Sequence, residues 1–151
     1  AVQGIVLGGG CELALACDLV VMEEHAHLSF RQAAMGLSTG WGGGTRLIER
    51  VGQMAAARTL LLGASLPARE ALALGLVTEL VPTGDALARA EQMARAVAAL
   101  PRSSIAGIKR MLCEVRRARR ADALVREAEV FASLWGGPDH LKAMDAFFKR
   151  R

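Results

Sequence analysis

The chain has 151 residues, 52% of them hydrophobic, and a formal net charge of +4. This length and composition support a buried core and argue against an intrinsically disordered protein. No apolar run approaches the ~18 residues of a membrane span, no signal peptide opens the chain, and the three cysteines fit neither a disulfide framework nor a zinc site. We therefore expect a cytoplasmic protein outside the membrane, with no metal centre.

The first half of the sequence alternates short apolar runs with helical segments. The apolar runs predict strands at residues 2–7, 18–22, 28–30 and 76–81. Composition and glycine stops predict helices at residues 11–17, from Thr45 to Gly52, at 53–62 and at 67–74. A helical turn at residues 31–35 and a flexible glycine loop at 40–44 complete this α/β part.

Helices alone are predicted from Asp85 onward. Asp85 can cap a helix whose apolar residues recur every three or four positions, and Ser103 or Ser104 opens a second one. Asp122 is expected to start a third helix, and Asp139 caps a last one after Gly136-Gly137-Pro138. We therefore predict two regions, residues 1–84 and residues 85–151.

Basic residues are concentrated at 109–120 and at 149–151. Such clusters are compatible with nucleic-acid binding, with a solvated helix face, or with a site for the phosphates of an anionic ligand. No aromatic stacking platform accompanies the charge, so nucleic acid is not expected as a partner.

Three glycines stand immediately before Cys11-Glu12, where a strand is predicted to turn into a helix. Glycine lets a backbone approach a ligand closely, and the first N–H groups of a helix are unpaired and favour negative charge. Gly8, Gly9 and Gly10 could thus form an oxyanion site, with Glu12 as a neighbouring base. A tight packing turn with a solvated glutamate explains the same residues equally well.

Two further motifs favour no function. Residues 36–40 match the G-x-S-x-G pattern of serine hydrolases, but the required strand before it and helix after it are absent from the predicted elements. His25 and His27 have no third ligand at a suitable spacing, so they do not predict a metal site.

The glycine triplet belongs to a longer series of motifs that runs through the whole chain. In order they are Ala1-Val2-Gln3-Gly4, Gly8-Gly9-Gly10-Cys11-Glu12-Leu13, Cys17-Asp18, Met35-Gly36, Gly42-Gly43, Arg46-Leu47, Ala71 with Gly75-Leu76-Val77, and Met144-Asp145-Ala146-Phe147. This series resembles the enoyl-CoA hydratase/isomerase (crotonase) superfamily. The resemblance implies the C-terminal part of the α/β crotonase-like (ClpP/crotonase) ββα spiral at 1–84, then a helical, CoA-contacting region at 85–151 that assembles trimers or hexamers.

The resemblance also implies roles for individual residues. Gly9 would supply one oxyanion N–H group and Glu12 the first catalytic carboxylate, with Gly8 and Gly10 beside the substrate. Trp41 and Gly42 would contact the substrate, although packing against the loop explains Trp41 at least as well. Phe147 and Arg150 would contact coenzyme A, which enters as part of an acyl-CoA substrate, so no separate cofactor is expected.

Two departures from the family pattern bear on the reaction. The second catalytic glutamate of family hydratases falls at Gln32, and a carboxamide can orient water but cannot exchange a proton at neutral pH. The family's N-terminal segment, which supplies the other oxyanion N–H group, is not in this sequence. Alongside hydratase or isomerase chemistry, the resemblance therefore leaves an (ethyl)malonyl-CoA-type decarboxylase and a catalytically impaired acyl-CoA-binding or assembly module as alternatives.

Overall fold

Strands and helices alternate in the first part of the chain, and helices follow. The computed structural model describes residues 1–149, except for the side chains of residues 118–120. The strands are β1 (Ile5–Leu7), β2 (Val21–Glu23), β3 (His27–Ser29), β4 (Ser65–Pro67) and β5 (Glu79–Val81). The helices are α1 (Gly9–Ala16), α2 (Gly43–Leu62), α3 (Ala68–Ala73), α4 (Ala86–Ala98), α5 (Arg102–Leu134) and α6 (Pro138–Phe148), with a 3₁₀ turn at Ala33–Met35.

Two small sheets carry the strands. β3 lies between β1, to which it is parallel, and β4, to which it is antiparallel, while β2 pairs with β5 in parallel. The core lies between these sheets and helices α1 to α3, and its large, fully buried side chains include Leu15, Met22, Leu28, Phe30, Leu47, Leu66 and Leu76. Because β1 and β3 are parallel, their carboxyl ends meet at one edge, where β1 leads into α1.

Several local predictions were wrong, including the helix starts at Ser103 or Ser104 and at Asp139, since α5 begins at Arg102 behind Pro101 and α6 at Pro138 behind Gly137. β4 was not predicted, because its three residues are too few to give a periodic pattern. Asp122 does not start a helix but lies inside α5, since no glycine or proline interrupts residues 108–135. Thr45 does not cap α2, which begins two residues earlier behind Gly42 and bends at Gly52, whose φ is 76°.

Helix α5 is attached to the α/β part near its beginning through Asp18. The Lys109 ammonium and the Arg116 guanidinium both bind the Asp18 carboxylate, the latter at 2.9 Å. The hydrogen bond from Lys109, followed by that from Arg116, lowers the pKa of Asp18 against the opposing effect of burial. Two cations of the basic cluster thus have an intramolecular role.

The end of α5 and the start of α6 fold over residues 36–44. The backbone of His140 lies so close to Gly36 that an added Cβ would be 2.6 Å from its nitrogen, and an added Cβ at Gly40 would overlap the Phe131 ring. His140 itself is buried, and its Nδ1 accepts the Gly136 N–H at 2.9 Å. None of the described helices has the length and apolar composition of a membrane span.

Gly36→Ala should destabilise the fold by about 2–4 kcal/mol, since alanine would be strained at φ 68° and would collide with the α6 backbone. Gly107→Ala is the matched control: Gly107 is inside α5 with nothing within 4 Å of an added Cβ. It should stabilise the protein by about 0.5–1 kcal/mol. Urea denaturation measures both, and equal shifts in the two variants would contradict this packing of α6.

Candidate active site

Gly8 connects β1 to α1 and aims the start of the helix. Its φ of 48° is a left-handed conformation that favours glycine, and its N–H donates to the Ser29 carbonyl at 2.9 Å. The first hydrogen bonds of the turn run from the Cys11 and Glu12 N–H groups to the Gly8 carbonyl. The N–H groups of Gly9 and Gly10 precede them, so they have no partner within the helix and carry the positive end of its dipole.

The Glu12 carboxylate is buried in residues 40–44, the glycine loop, and is only 3% exposed. The N–H groups of Gly40, Trp41 and Gly43 donate to its Oε2 at 3.2, 2.7 and 3.0 Å. On the other side, Gln32 Nε2 donates to Oε1 at 2.9 Å. Because Gly43 has no Cβ, the Glu12 side chain can lie against its backbone. The sequence-predicted carboxylate is therefore fixed by four donors.

The orientation of the Gln32 carboxamide follows from its partner. A carboxylate only accepts hydrogen bonds, so the nitrogen of Gln32 must face Glu12 and the oxygen must face away. That oxygen is buried and has no hydrogen-bond partner among the described residues. Gln32 thus orients Glu12, while its own acceptor remains unsatisfied.

Glu127 of α5 is a site residue that sequence reasoning missed. It accepts the N–H groups of Gly44 and Thr45, each at 3.0 Å, and the Thr45 hydroxyl at 2.6 Å. Burial alone would raise the pKa of Glu127, but hydrogen bonds from Thr39, Thr45 and the two N–H groups outweigh it and lower the pKa. The available signal was an acidic residue on the apolar face of α5 that carries Leu124 and Phe131.

One cavity of about 850 Å³ connects these elements. It brings together six of the sequence-predicted residues, which are Gly8, Gly9, Glu12, Gln32, Trp41 and Phe147. Glu12 is the one carboxylate in the described lining, which also includes His27 and Arg31. The cavity therefore combines the start of α1, a single carboxylate and an aromatic wall from α5 and α6.

The remaining predicted residues lie elsewhere. Gly10 lines a separate groove and packs against Val6, and Gly42 is buried, where an added Cβ would be 2.5 Å from Leu124. Arg150 lies outside the described residues. Within residues 1–149, no three His, Cys, Asp or Glu side chains are grouped to hold a metal ion.

Trp41 shapes the opening of the cavity beside Gly9. An added Cβ at Gly9 would be 2.7 Å from the Trp41 ring, so this glycine is required for the ring to lie against the helix start. The side chain of Trp41 is nevertheless 64% exposed. The Trp41 ring can therefore pack against Gly9 with one part of its surface and contact a ligand with the exposed part.

Comparisons with known proteins agree on one family. The family model described as enoyl-CoA hydratase/isomerase matches residues 1–151. The chain is 36% identical over 146 residues to ethylmalonyl-CoA decarboxylase of Rattus norvegicus, covering 95% of this chain and 49% of that protein. It is 34% identical over 151 residues to 2,3-dehydroadipyl-CoA hydratase of Escherichia coli, covering 100% and 59%.

The fold comparison gives the same result. A crystal structure of an enoyl-CoA hydratase from Mycobacterium avium subsp. paratuberculosis is similar with a TM-score of 0.90 and 32% identity, over 99% of this chain and 61% of that one. This similarity confirms the predicted crotonase-like α/β fold. The chain spans about half the length of the curated relatives it matches.

Glu127→Gln should remove a pH-dependent part of the stability. The folded-state pKa of Glu127 is below its ordinary value of 4.5, so its stabilisation is present above that value and is lost as the pH falls through the lowered pKa. From about pH 5 to about pH 3, the free energy of unfolding should therefore fall more steeply for the wild type than for the variant. Urea denaturation at stepped pH tests this, with Glu129→Gln, an exposed position on α5, as control; parallel wild-type and Glu127→Gln curves would contradict it.

Proposed function

We propose that this chain, which belongs to the enoyl-CoA hydratase/isomerase family, acts on acyl thioesters of coenzyme A by stabilising an enolate. The observation that carries the proposal is the shared cavity of Gly9, at the start of α1, and the buried carboxylate of Glu12. An enolate forms when a bond at the α-carbon of the thioester breaks, and its charge accumulates on the carbonyl oxygen. The cavity offers a donor for that oxygen and one acid–base group beside it.

The proposed oxyanion donor is the N–H of Gly9. It lies at the positive end of the α1 dipole, and no hydrogen bond within the helix competes for it. A donor whose hydrogen bond strengthens as charge develops lowers the barrier more than a donor that binds the ground state and the transition state equally. The loss of one such donor typically costs about 2.7–4 kcal/mol of transition-state stabilisation.

Fast hydration of an enoyl thioester is not supported by this cavity. Hydration needs one group to activate water and a second to deliver a proton. The described lining contains a single carboxylate, Glu12, and its neighbour Gln32 cannot exchange a proton. Reactions that need one proton-transfer group, or none in the bond-breaking step, fit better.

Decarboxylation of a malonyl-type thioester is the reaction that this geometry favours. The bond between the α-carbon and the carboxylate breaks, its electron pair forms the enolate, carbon dioxide leaves, and a proton from water adds to the α-carbon. No base is needed to break that bond, which suits a Glu12 whose oxygens already accept four hydrogen bonds. The similarity to ethylmalonyl-CoA decarboxylase supports this choice.

Double-bond isomerisation is the second candidate, favoured by the presence of Glu12 in the cavity wall. A single carboxylate can remove a proton from one carbon and return it to another. Oε1 of Glu12 accepts the Gln32 bond at 2.9 Å and would take up the proton on its second lone pair.

Substrate binding would use the aromatic wall together with the end of the chain. Phe147 lines the cavity and is 44% exposed, so its ring is available to coenzyme A. Trp41 would cover the acyl part. Coenzyme A would enter with the substrate, and no separate cofactor is proposed.

Assembly and location stay predictions. Apolar side chains of Ile108, Met111 and Val115 are exposed on α5 at helical spacing, which fits the predicted trimer or hexamer. A cytoplasmic location remains an expectation from the sequence.

The purified chain, offered ethylmalonyl-CoA, a 3-enoyl-CoA and crotonyl-CoA, should turn over ethylmalonyl-CoA fastest and hydrate crotonyl-CoA slowest, as followed by chromatography of the thioesters. Binding of coenzyme A is measured in parallel by calorimetry. Fast crotonyl-CoA hydration would contradict the single-carboxylate argument. Binding without any turnover would instead support an acyl-CoA-binding module. The absence of both binding and turnover would overturn the proposal.

Glu12→Gln separates the two candidate reactions. It should slow isomerisation by about 10²–10⁴-fold, because it removes the group that carries the proton, and should slow decarboxylation much less. Glu114→Gln makes the same change at an exposed position of α5 and should alter neither rate. Both variants are first compared with the wild type by urea denaturation. Equal loss of the two activities in a folded Glu12→Gln protein would argue against decarboxylation as the main reaction.

A further inference from the structure

Two carboxylates from different helices share the N-terminus of α2. Glu12 of α1 accepts the Gly43 N–H, and Glu127 of α5 accepts the next two, from Gly44 and Thr45. These three N–H groups have no partner within α2, because its first internal bond runs from Arg46 to Gly42. The two glutamates therefore divide these donors between them, and the Thr39 hydroxyl is a second acceptor for the Gly44 N–H at 3.2 Å.

The two sets of bonds are mechanically linked through the backbone. The N–H groups of Gly43 and Gly44 belong to successive peptide planes that meet at the Gly43 Cα, so a shift of the Gly44 backbone reaches the Gly43 N–H through that atom. Glycines at 42, 43 and 44 provide no side chain that could hold this segment in place. The position of Gly43 therefore depends on what holds Gly44 and Thr45, and so does the position of the Glu12 carboxylate that binds Gly43.

Three side chains on one face of helix α5 contact the glycine loop and the start of α2. Leu124 lies against Gly42 and the Phe131 ring against Gly40, both as apolar contacts. Glu127, which lies between Leu124 and Phe131 in the sequence, accepts hydrogen bonds from the loop, including the 2.6 Å bond from the Thr45 hydroxyl. Hydrogen bonds to a charged group are directional and stronger than neutral ones, so they define the loop position more sharply than apolar contact.

We propose that Glu127 is a positioning residue for Glu12: it holds the start of α2 against α5 and so keeps the N–H groups of Trp41 and Gly43 in reach of the Glu12 carboxylate. Glu127 does not itself line the cavity. The catalytic relevance of Glu127 rests on the proposed function of Glu12, but the effect of Glu127 on the position of the Glu12 carboxylate does not.

Amide hydrogen exchange, read residue by residue by NMR, tests the coupling. In Glu127→Gln the oxygen can replace one acceptor, but the new amide group faces donors and cannot accept from them. Exchange should accelerate by at least about tenfold at Trp41 and Gly43, which bind Glu12 and not Glu127, because bonds to a charged acceptor are lost. Acceleration limited to Gly44 and Thr45 would show that Glu127 merely caps α2 and would overturn the proposal.

Two further variants make the result interpretable. Glu129→Gln removes the same charge from an exposed position of α5 and should leave exchange at Trp41 and Gly43 unchanged. If Glu127→Gln fails to fold, Thr45→Val removes only the hydroxyl bond to Glu127. It should accelerate the same two amides less strongly, and no acceleration there would count against the proposal.

Turnover provides a separate measurement. With a 3-enoyl-CoA, whose isomerisation needs Glu12, Glu127→Gln should lower kcat by about tenfold and leave KM nearly unchanged, because a misplaced Glu12 affects the reacting centre more than thioester binding. Glu127→Asp keeps the charge on a shorter side chain and should recover part of the rate. A wild type that turns over neither a 3-enoyl-CoA nor ethylmalonyl-CoA would refute the proposed function, while the exchange measurement would still decide whether Glu127 positions Glu12.

Discussion

The unpaired N–H groups at the start of α2 are the constraint on which the arrangement of the site depends. A helix presents its first donors along its own axis, and buried donors must find acceptors. Here the acceptors come from α1 and α5, so three helices converge on one short segment. The positive end of the α2 dipole stabilises both carboxylates in a position where each would otherwise be costly to bury.

Close approach of backbone to side chain makes this convergence possible, and glycine makes the approach possible. Gly43 admits the Glu12 side chain, Gly40 admits the Phe131 ring, and Gly9 admits the Trp41 ring. Each of these glycines has a different neighbour, so substitution at each would disturb a different wall of the cavity. The glycines of the loop are thus required for packing. They do not imply the flexible loop that the sequence suggested.

The residues alone identified the parts of the site that are close in the chain. Of the distant parts, Gln32, Trp41 and Phe147 were identified through the family resemblance, and Glu127 was not identified. Gly8, Gly9 and Glu12 could be identified together because a strand-to-helix turn places consecutive residues in one geometry. Glu127 could not, because 83 residues separate it from Gly44 and charged residues are common on a long helix. The same reasoning explains the false break at Asp122, where a capping preference of about 1 kcal/mol was outweighed by an uninterrupted helical sequence. The pairing of β4 with β3 is likewise a tertiary contact, so three residues could not reveal it.

The bonds that orient Glu12 also limit the chemistry it can perform. A carboxylate that accepts hydrogen bonds from four donors is held rigidly, which lowers the entropic cost of using it, but three of these bonds converge on Oε2 and leave only Oε1 with a lone pair for a proton. A site built in this way is poorly suited to abstracting a proton from carbon and better suited to a reaction in which the substrate supplies the electron pair. In the proposed decarboxylation, the N–H donor at Gly9 would supply the larger share of the barrier reduction, because negative charge accumulates on the thioester oxygen. In the proposed reaction Glu12 contributes through its place in the glycine loop, and the same hydrogen bonds that attach it to α2 restrict its use in proton transfer.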